Sequence, residues 1–205
     1  MLIDLNSLFQ FNKHNIHLAC KCAAQAYFEM DNGFTFISDP TKRMQFLTKI
    51  MDFTFRYSFK YGEVFATSSN LEGVVAWLPH DKVFISSLQY IRYGALSAFF
   101  TLGRGYLKKM RLYSSLCQEM HKKHASFPHW YLYNLAVIPK YQSKGFASKL
   151  LKPKLLILDK LHLPCFLETG EINTALYQHF GFEVVERVSL PELEEDLFFM
   201  LRNFN

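Results

Sequence analysis

Asn134 to Leu151 reads NLAVIPKYQSKGFASKLL, and the fold turns on it. An apolar, strand-like run ends at Pro139, a short polar and basic turn follows, and from Gly145 the apolar residues recur at helical spacing. A strand that passes through a glycine-containing turn into a helix leaves the first helical amides without carbonyl partners, and the helix dipole adds positive potential where they point. Such a turn seats anions. Within it, Gln142-Ser143-Lys144-Gly145-Phe146-Ala147-Ser148 has a missing or minimal side chain at Gly145 and Ala147, which lets a diphosphate approach the main chain. Neither common glycine-rich nucleotide motif, G-x-G-x-x-G or G-x-x-x-x-G-K-[ST], occurs in the chain.

Working outward, Trp130 to Ile138 reads as a strand long enough for the centre of a sheet. The helix after the turn extends to Leu161 with Ala147, Leu151, Leu155 and Leu158 on a buried stripe, and Pro153 inside it predicts a kink near Lys149. Cys165 to Glu168 is then a strand, Asn173 to Phe180 a short helix ended by Gly181, and Phe182–Val188 and Leu197–Arg202 are strands separated by the acidic loop LPELEED. Towards the N-terminus, Leu8 to Phe11 is a weak strand, and Asn12 or Asn15 caps a helix that buries Ile16, Ala19, Ala23, Ala26 and Tyr27. Asp31-Asn32-Gly33 is a turn, and after Pro40 a second helix carries Met44, Leu47, Met51, Phe55 and Phe59 up to Tyr61-Gly62. Glu63–Thr67 and Gly73–Leu78 form a hairpin. Residues 80–128 suggest two or three helices rich in aromatic and basic residues. That segment reads as a lid over an acceptor pocket, as plain core packing with a solvated lysine face, or as a membrane-surface or partner-binding element.

A chain of 205 residues, half of it hydrophobic and 17% aromatic, suits one folded domain, 1–205, with an insert at about 80–128. A net charge of +5 without a long lysine block points away from nucleic acid and is compatible with a small polyanion. Cys20, Cys22, Cys117 and Cys165 lack disulfide or zinc spacing, so they read as reduced packing residues in a reducing compartment, with no metal expected. The N-terminus lacks the pattern of a secretory signal, and the most apolar internal window, Gly94 to Leu102, is shorter than the ~20 residues that span a bilayer. A cytoplasmic protein, monomer or homodimer, without integral membrane association is the expectation.

With Val137 and Pro139 before it, the turn resembles the acetyl-CoA signature V-x-P-x-x-[QR]-x-x-G-x-[GA] of the GCN5-related N-acetyltransferase (GNAT) superfamily. The likeness continues through PCFLET, Asn173, Tyr177 within ALYQHFGF, and Gly181-Phe182. With AWLP at Ala76–Pro79, HWYL at His129–Leu132 and LKPKL at Leu151–Leu155, it extends over roughly residues 8–202 and looks like the puromycin N-acetyltransferase-like branch. Ala147 stands where glycine is more frequent in that branch. The resemblance implies an α/β (α+β) fold: a central mixed, mostly antiparallel twisted sheet of about six to seven strands flanked by helices, with a helical insert between strands 3 and 4.

It also implies acetyl-CoA as cosubstrate and transfer of the acetyl group to a primary amine of a small molecule by direct attack in a ternary complex. The amides of Gln142, Ser143, Lys144, Gly145, Phe146, Ala147 and Ser148 would hold the pyrophosphate. The Leu135, Ala136 and Val137 main chain would contact the pantetheine arm, with the Val137 N–H as oxyanion donor. Tyr177 would be the general acid at the sulfur, and Asn173, one helical turn earlier, would bond the pantetheine unless it serves as a plain helix cap. Glu168 would be the general base, with His129, Tyr131 and Tyr133 as rivals, since a carboxylate in a partly apolar cleft is a base suited to neutral pH. Tyr27, Phe34, Phe36, Tyr90, Tyr93, Phe99 and Phe100 are candidates for the acceptor pocket. The alternative is a non-catalytic sensor or interaction module that binds CoA or acyl-CoA on the same fold.

Overall fold

The computed structural model describes residues 4–30, 37–191 and 195–204, without the side chains of Ser87, residues 95–107 and Glu195. The turn at Asp31-Asn32-Gly33, Phe34 and Phe36, the side chains of Phe99 and Phe100, and the middle of the LPELEED loop lie outside the described residues.

Seven strands form one sheet in the order β1-β2-β3-β4-β5-β7-β6. They are β1 (Phe9–Gln10), β2 (Glu63–Ala66), β3 (Gly73–Pro79), β4 (Trp130–Val137), β5 (Cys165–Gly170), β6 (Glu183–Leu190) and β7 (Glu195–Arg202). Every neighbouring pair is antiparallel except β4–β5. The first strand is shorter than Leu8–Phe11, because the buried Leu8 and Phe11 flank only a two-residue ladder. Strand β3 reads GVVAWLP, nearly continuously apolar, because both of its faces are covered. Val74 and Ala76 enter one core with α1 (Ile16–Glu29) and α2 (Pro40–Tyr61), while Val75 and Trp77 enter another with α5 (Phe146–Lys160).

Helix α2 starts where Asp39 Oδ1 accepts from the amides of Thr41 and Lys42, at 2.8 and 3.1 Å, and Pro40 supplies a preset φ in its first turn. Of its predicted stripe Leu47, Met51 and Phe55 are buried, but Phe59 is exposed, since Phe53 and Tyr57 take a second buried face against the insert. At its C-terminus Gly62 meets β3 so closely that an added Cβ would lie 1.9 Å from the Trp77 carbonyl oxygen. Helix α1 begins in a reciprocal pair of side-chain bonds, Asn12 Oδ1 accepting from His14 and Asn15 and Asn15 Oδ1 accepting from Asn12.

The insert holds two α-helices, within the two or three expected: a short α3 (Ser87–Arg92) and a 30-residue α4 (Ala95–His124). Tyr90 stacks on Phe53 at 5.0 Å, and Tyr93 packs edge-on to Tyr57 at 5.7 Å, which docks the insert on α2. Helices α1, α2 and α4 therefore lie on one face of the sheet, and α5 and α6 (Thr174–His179) on the other. Helix α5 runs through Pro153 as one element. All four cysteines are free, and Cys20, Cys22 and Cys165 are buried. No helix among the described residues is long and apolar enough to cross a membrane.

Arg202 ties β7 to both helices of the second face. Its Nε donates to the Phe180 carbonyl at 2.9 Å, and Nη1 and Nη2 donate to the two Asp159 oxygens at 2.6 and 2.8 Å. Arg202→Met leaves a half-buried carboxylate and a buried carbonyl without these donors. The expected cost is about 3 kcal/mol, read as a lower urea midpoint with an unchanged slope.

Candidate active site

The parallel pair β4–β5 is in register only at Trp130–Cys165 and Tyr131–Phe166. Beyond those two positions the strands part, while β4 stays paired with β3 as far as Val137. A bulge helps to bend β4: Ala76 faces Asn134 but Trp77 faces Leu132, so Tyr133 is the extra residue. The bulge also resets which side chain meets which face. Tyr131, Tyr133, Asn134 and Ala136 are turned towards the α1, α2 and α4 face, and Leu132, Leu135 and Val137 towards α5.

A cleft of about 1740 Å³ occupies the parting of the strands. Leu135, Val137, Gln142, Ser143, Gly145, Phe146, Ala147, Ser148, Glu168, Asn173 and Tyr177 all line it. Two predicted contacts do not. Ala136 is buried in the α1–α2 core, and the Lys144 side chain folds back so that Nζ donates to the Lys140 carbonyl at 2.8 Å. The Ile138 amide bonds the Glu72 carbonyl on the β3 side, so strand alternation points the amides of Leu135 and Val137 into the gap. Ala136 directs its own main-chain groups to β3.

The turn that enters α5 is built by left-handed residues, Ser143 at φ 59° and Gly145 at φ 83°. The Gln142 amide is already bonded to the Pro139 carbonyl at 3.0 Å, and its side-chain amide donates to the Val137 carbonyl at 3.0 Å. Gln142 thus braces the turn through both its main-chain and its side-chain amide. From Ser143 to Ser148 no amide bonds a carbonyl among the described residues; the Lys149 amide is the first to do so, on Gly145. Six amides at the positive end of a 15-residue helix are the chemistry a diphosphate needs.

Glu168 and Tyr177 approach the gap from opposite faces. Glu168 is half-buried on the α2–α4 side, accepts a short hydrogen bond from the Tyr131 hydroxyl and lies next to the Cys117 thiol. Burial pushes its carboxyl up to about 7, against the pull of the Tyr131 and Cys117 hydrogen bonds. Tyr177 sits on α6 on the other side, edge-on to Phe182 at 5.9 Å. Burial, and then the charges of Tyr27 and Glu168, raise its phenol, so it stays protonated at neutral pH. Its hydroxyl has no hydrogen-bond partner among the described residues. Asn173 precedes α6 at the cap position but makes no capping bond with its side chain.

The rivals for the base are otherwise engaged. Tyr131 spends its hydroxyl on Glu168, and burial raises Tyr133 far above its ordinary range. His129 Nε2 lies 2.7 Å from His121 Nε2, and its Nδ1 is 2.7 Å from the Phe127 carbonyl, so both ring nitrogens are used. This pair is pressed into the neutral state by burial, His121 down to about 3. Of the aromatic candidates, Tyr27 and Tyr90 line the cleft and Tyr93 does not. Sequence reasoning missed Asn134, whose Nδ2 donates to the Tyr27 hydroxyl at 3.2 Å while its buried Oδ1 has no partner among the described residues. It missed Cys117 and the His121–His129 contact as well, since both depend on how α4 crosses the sheet.

Comparison with known proteins agrees with this geometry. The acetyltransferase (GNAT) family model matches residues 102–182. An uncharacterized N-acetyltransferase of Schizosaccharomyces pombe is 39% identical over 62 residues, which are 30% of this chain and 25% of that protein. The chain thus matches about a quarter of the length of that curated relative. A crystal structure described as histone acetyltransferase HPA2 and related acetyltransferase, from Corynebacterium glutamicum, aligns over 97% of this chain and 96% of its own, with TM-score 0.62 and 16% identity. A putative arylalkylamine N-acetyltransferase 7 from Aedes aegypti aligns over 96% and 86%, with TM-score 0.66 and 11% identity. A mixed seven-stranded sheet parted between its two parallel strands, with amides presented at the start of the helix between them, thus accompanies a segment, residues 102–182, that matches the acetyltransferase (GNAT) family model.

Proposed function

We propose that this chain is an acetyl-CoA-dependent N-acetyltransferase that acts on a primary amine of a small molecule, in a ternary complex without an acyl-enzyme. The amides of Ser143 to Ser148 hold the diphosphate, and the Leu135 and Val137 main chain lines the pantetheine arm. The Val137 N–H donates to the thioester oxygen as it gains charge, an interaction worth about 3 kcal/mol in the barrier. From the α2–α4 side, Glu168 takes a proton from the arriving ammonium, and the freed nitrogen lone pair attacks the carbonyl carbon. As the carbon–sulfur bond breaks, Tyr177 passes its phenolic proton to the departing thiolate, the acylated nitrogen gives up its second proton to restore the phenol through water, and the proton held by Glu168 leaves to solvent. The products are the acetamide and the free thiol of CoA.

The observation that carries this reading is a carboxyl poised near neutrality and a protonated phenol on opposite faces of one gap in the sheet. A module that only binds CoA needs neither. Calorimetry with acetyl-CoA, followed by thiol release over a panel of primary amines, tests the proposal. Binding together with amine-dependent thiol release is expected; binding with no release for any amine would leave the sensor reading in its place.

A further inference from the structure

The acceptor side of the cleft is a trough along α4 whose two ends carry opposite charges. Met110, Ser114, Cys117 and His121 recur at three- and four-residue spacing on the helix face that lines the cleft, with Arg111 beside them. At the level of Cys117 the trough meets Glu168, whose charge helps to raise the Cys117 thiol. Six residues earlier, about 9 Å along the axis at 1.5 Å per residue, stands Arg111. It is exposed, and it forms no ion pair or hydrogen bond among the described residues. It is also the sole lysine or arginine among the described lining residues, the other charges there being the carboxylates of Glu29, Glu168, Glu171 and Asp196. Asp196 is held by Arg187, and Glu29 accepts from Gln25. Between Arg111 and Glu168 the walls are aromatic, with Tyr90, Tyr113 and Tyr133.

We propose that the acceptor is an elongated amine with a carboxylate at its far end. The amine meets Glu168, an apolar or aromatic spacer lies along Tyr113 and Tyr90, and the distal carboxylate pairs with the Arg111 guanidinium. A planar fork of donors suits that group better than any neutral one. A carboxylate next to the amine is disfavoured, because it would come to rest against Glu168 and like charges repel. This assignment rests on the reading of the cleft as an acetyl-transfer site.

Thiol release from acetyl-CoA is measured with 2-phenylethylamine, 4-(2-aminoethyl)benzoate and phenylalanine, which share an aryl body and place the carboxylate nowhere, far from the amine, or next to it. With the unaltered chain, kcat/KM for 4-(2-aminoethyl)benzoate should exceed that for 2-phenylethylamine about tenfold, mainly through KM, and phenylalanine should be the poorest. Arg111→Gln should bring the first two level, and Arg111→Glu should reverse their order. Acetyl-CoA affinity by calorimetry, the control for folding, should be the same in both variants. Equal kcat/KM for the neutral and distal-carboxylate amines, or a preference that survives Arg111→Glu, overturns the assignment while acetyl transfer stands. No thiol release with any of the three amines overturns the assignment, and acetyl transfer falls with it where the wider panel of primary amines is silent too.

Discussion

Glu168→Gln should lower kcat/KM for the amine by about a hundred- to a thousandfold, the range lost with a positioned general base. The chain should retain its affinity for acetyl-CoA, because Glu168 lies on the face away from α5 and Tyr177. The pH profile is the sharper measurement. Burial lifts the carboxyl to about 7, so the basic form accumulates, and kcat/KM rises, as pH passes through that value. In Glu168→Gln that limb should disappear from the residual rate. Stability should move in the opposite sense. A carboxyl whose folded pKa is raised contributes fully below its unfolded value, and that contribution is lost as pH rises through the folded value. The glutamine variant should therefore be at least as stable as the unaltered chain above pH 7, which separates a lost base from a damaged fold. A Glu168→Gln chain with undiminished turnover would hand the proton to solvent and leave Glu168 a structural partner of Tyr131.

Tyr177→Phe is expected to reduce kcat about a hundredfold with little change in the KM for either substrate. The ring contact with Phe182 survives the substitution, and the hydroxyl it removes has no protein partner among the described residues to leave unsatisfied. The loss therefore falls on the step in which the thiolate departs. Single-turnover thiol release compared with calorimetric acetyl-CoA affinity isolates it: a variant that binds normally but releases thiol at the full rate would remove Tyr177 from the chemistry.

What could be read from the sequence follows the range over which each signal acts. The strand–turn–helix at Asn134–Leu151 was legible because its determinants are local: a glycine at φ 83°, a proline before the turn, and the period of α5. The α2 boundaries were legible for the same reason, through Pro40 and Tyr61-Gly62. The insertion of β7 between β5 and β6, the parting of β4 from β5 and the bulge at Tyr133 were not, since each is a long-range pairing that no single segment encodes. The bulge turns the Ala136 side chain into the α1–α2 core. Helix α4 runs through Gly103 and Gly105. The cost of about 1 kcal/mol for each glycine is outweighed by the packing of its C-terminal half on α2. At Gln142 the sequence did not show that the main-chain amide is bonded to the Pro139 carbonyl and the side-chain amide to the Val137 carbonyl.

The two rungs that join β4 to β5 have a mechanical meaning. They make the sheet two plates riveted at one end, β1–β4 and β5–β7, with an open seam running from Tyr131 to the mouth of the cleft. A pantetheine chain, with its own alternating amide donors and acceptors, can fill that seam as a surrogate strand. Under the proposed function, substrate binding would add lateral cross-links where the two plates have none between them, so that the molecule being consumed would also stiffen the frame around it.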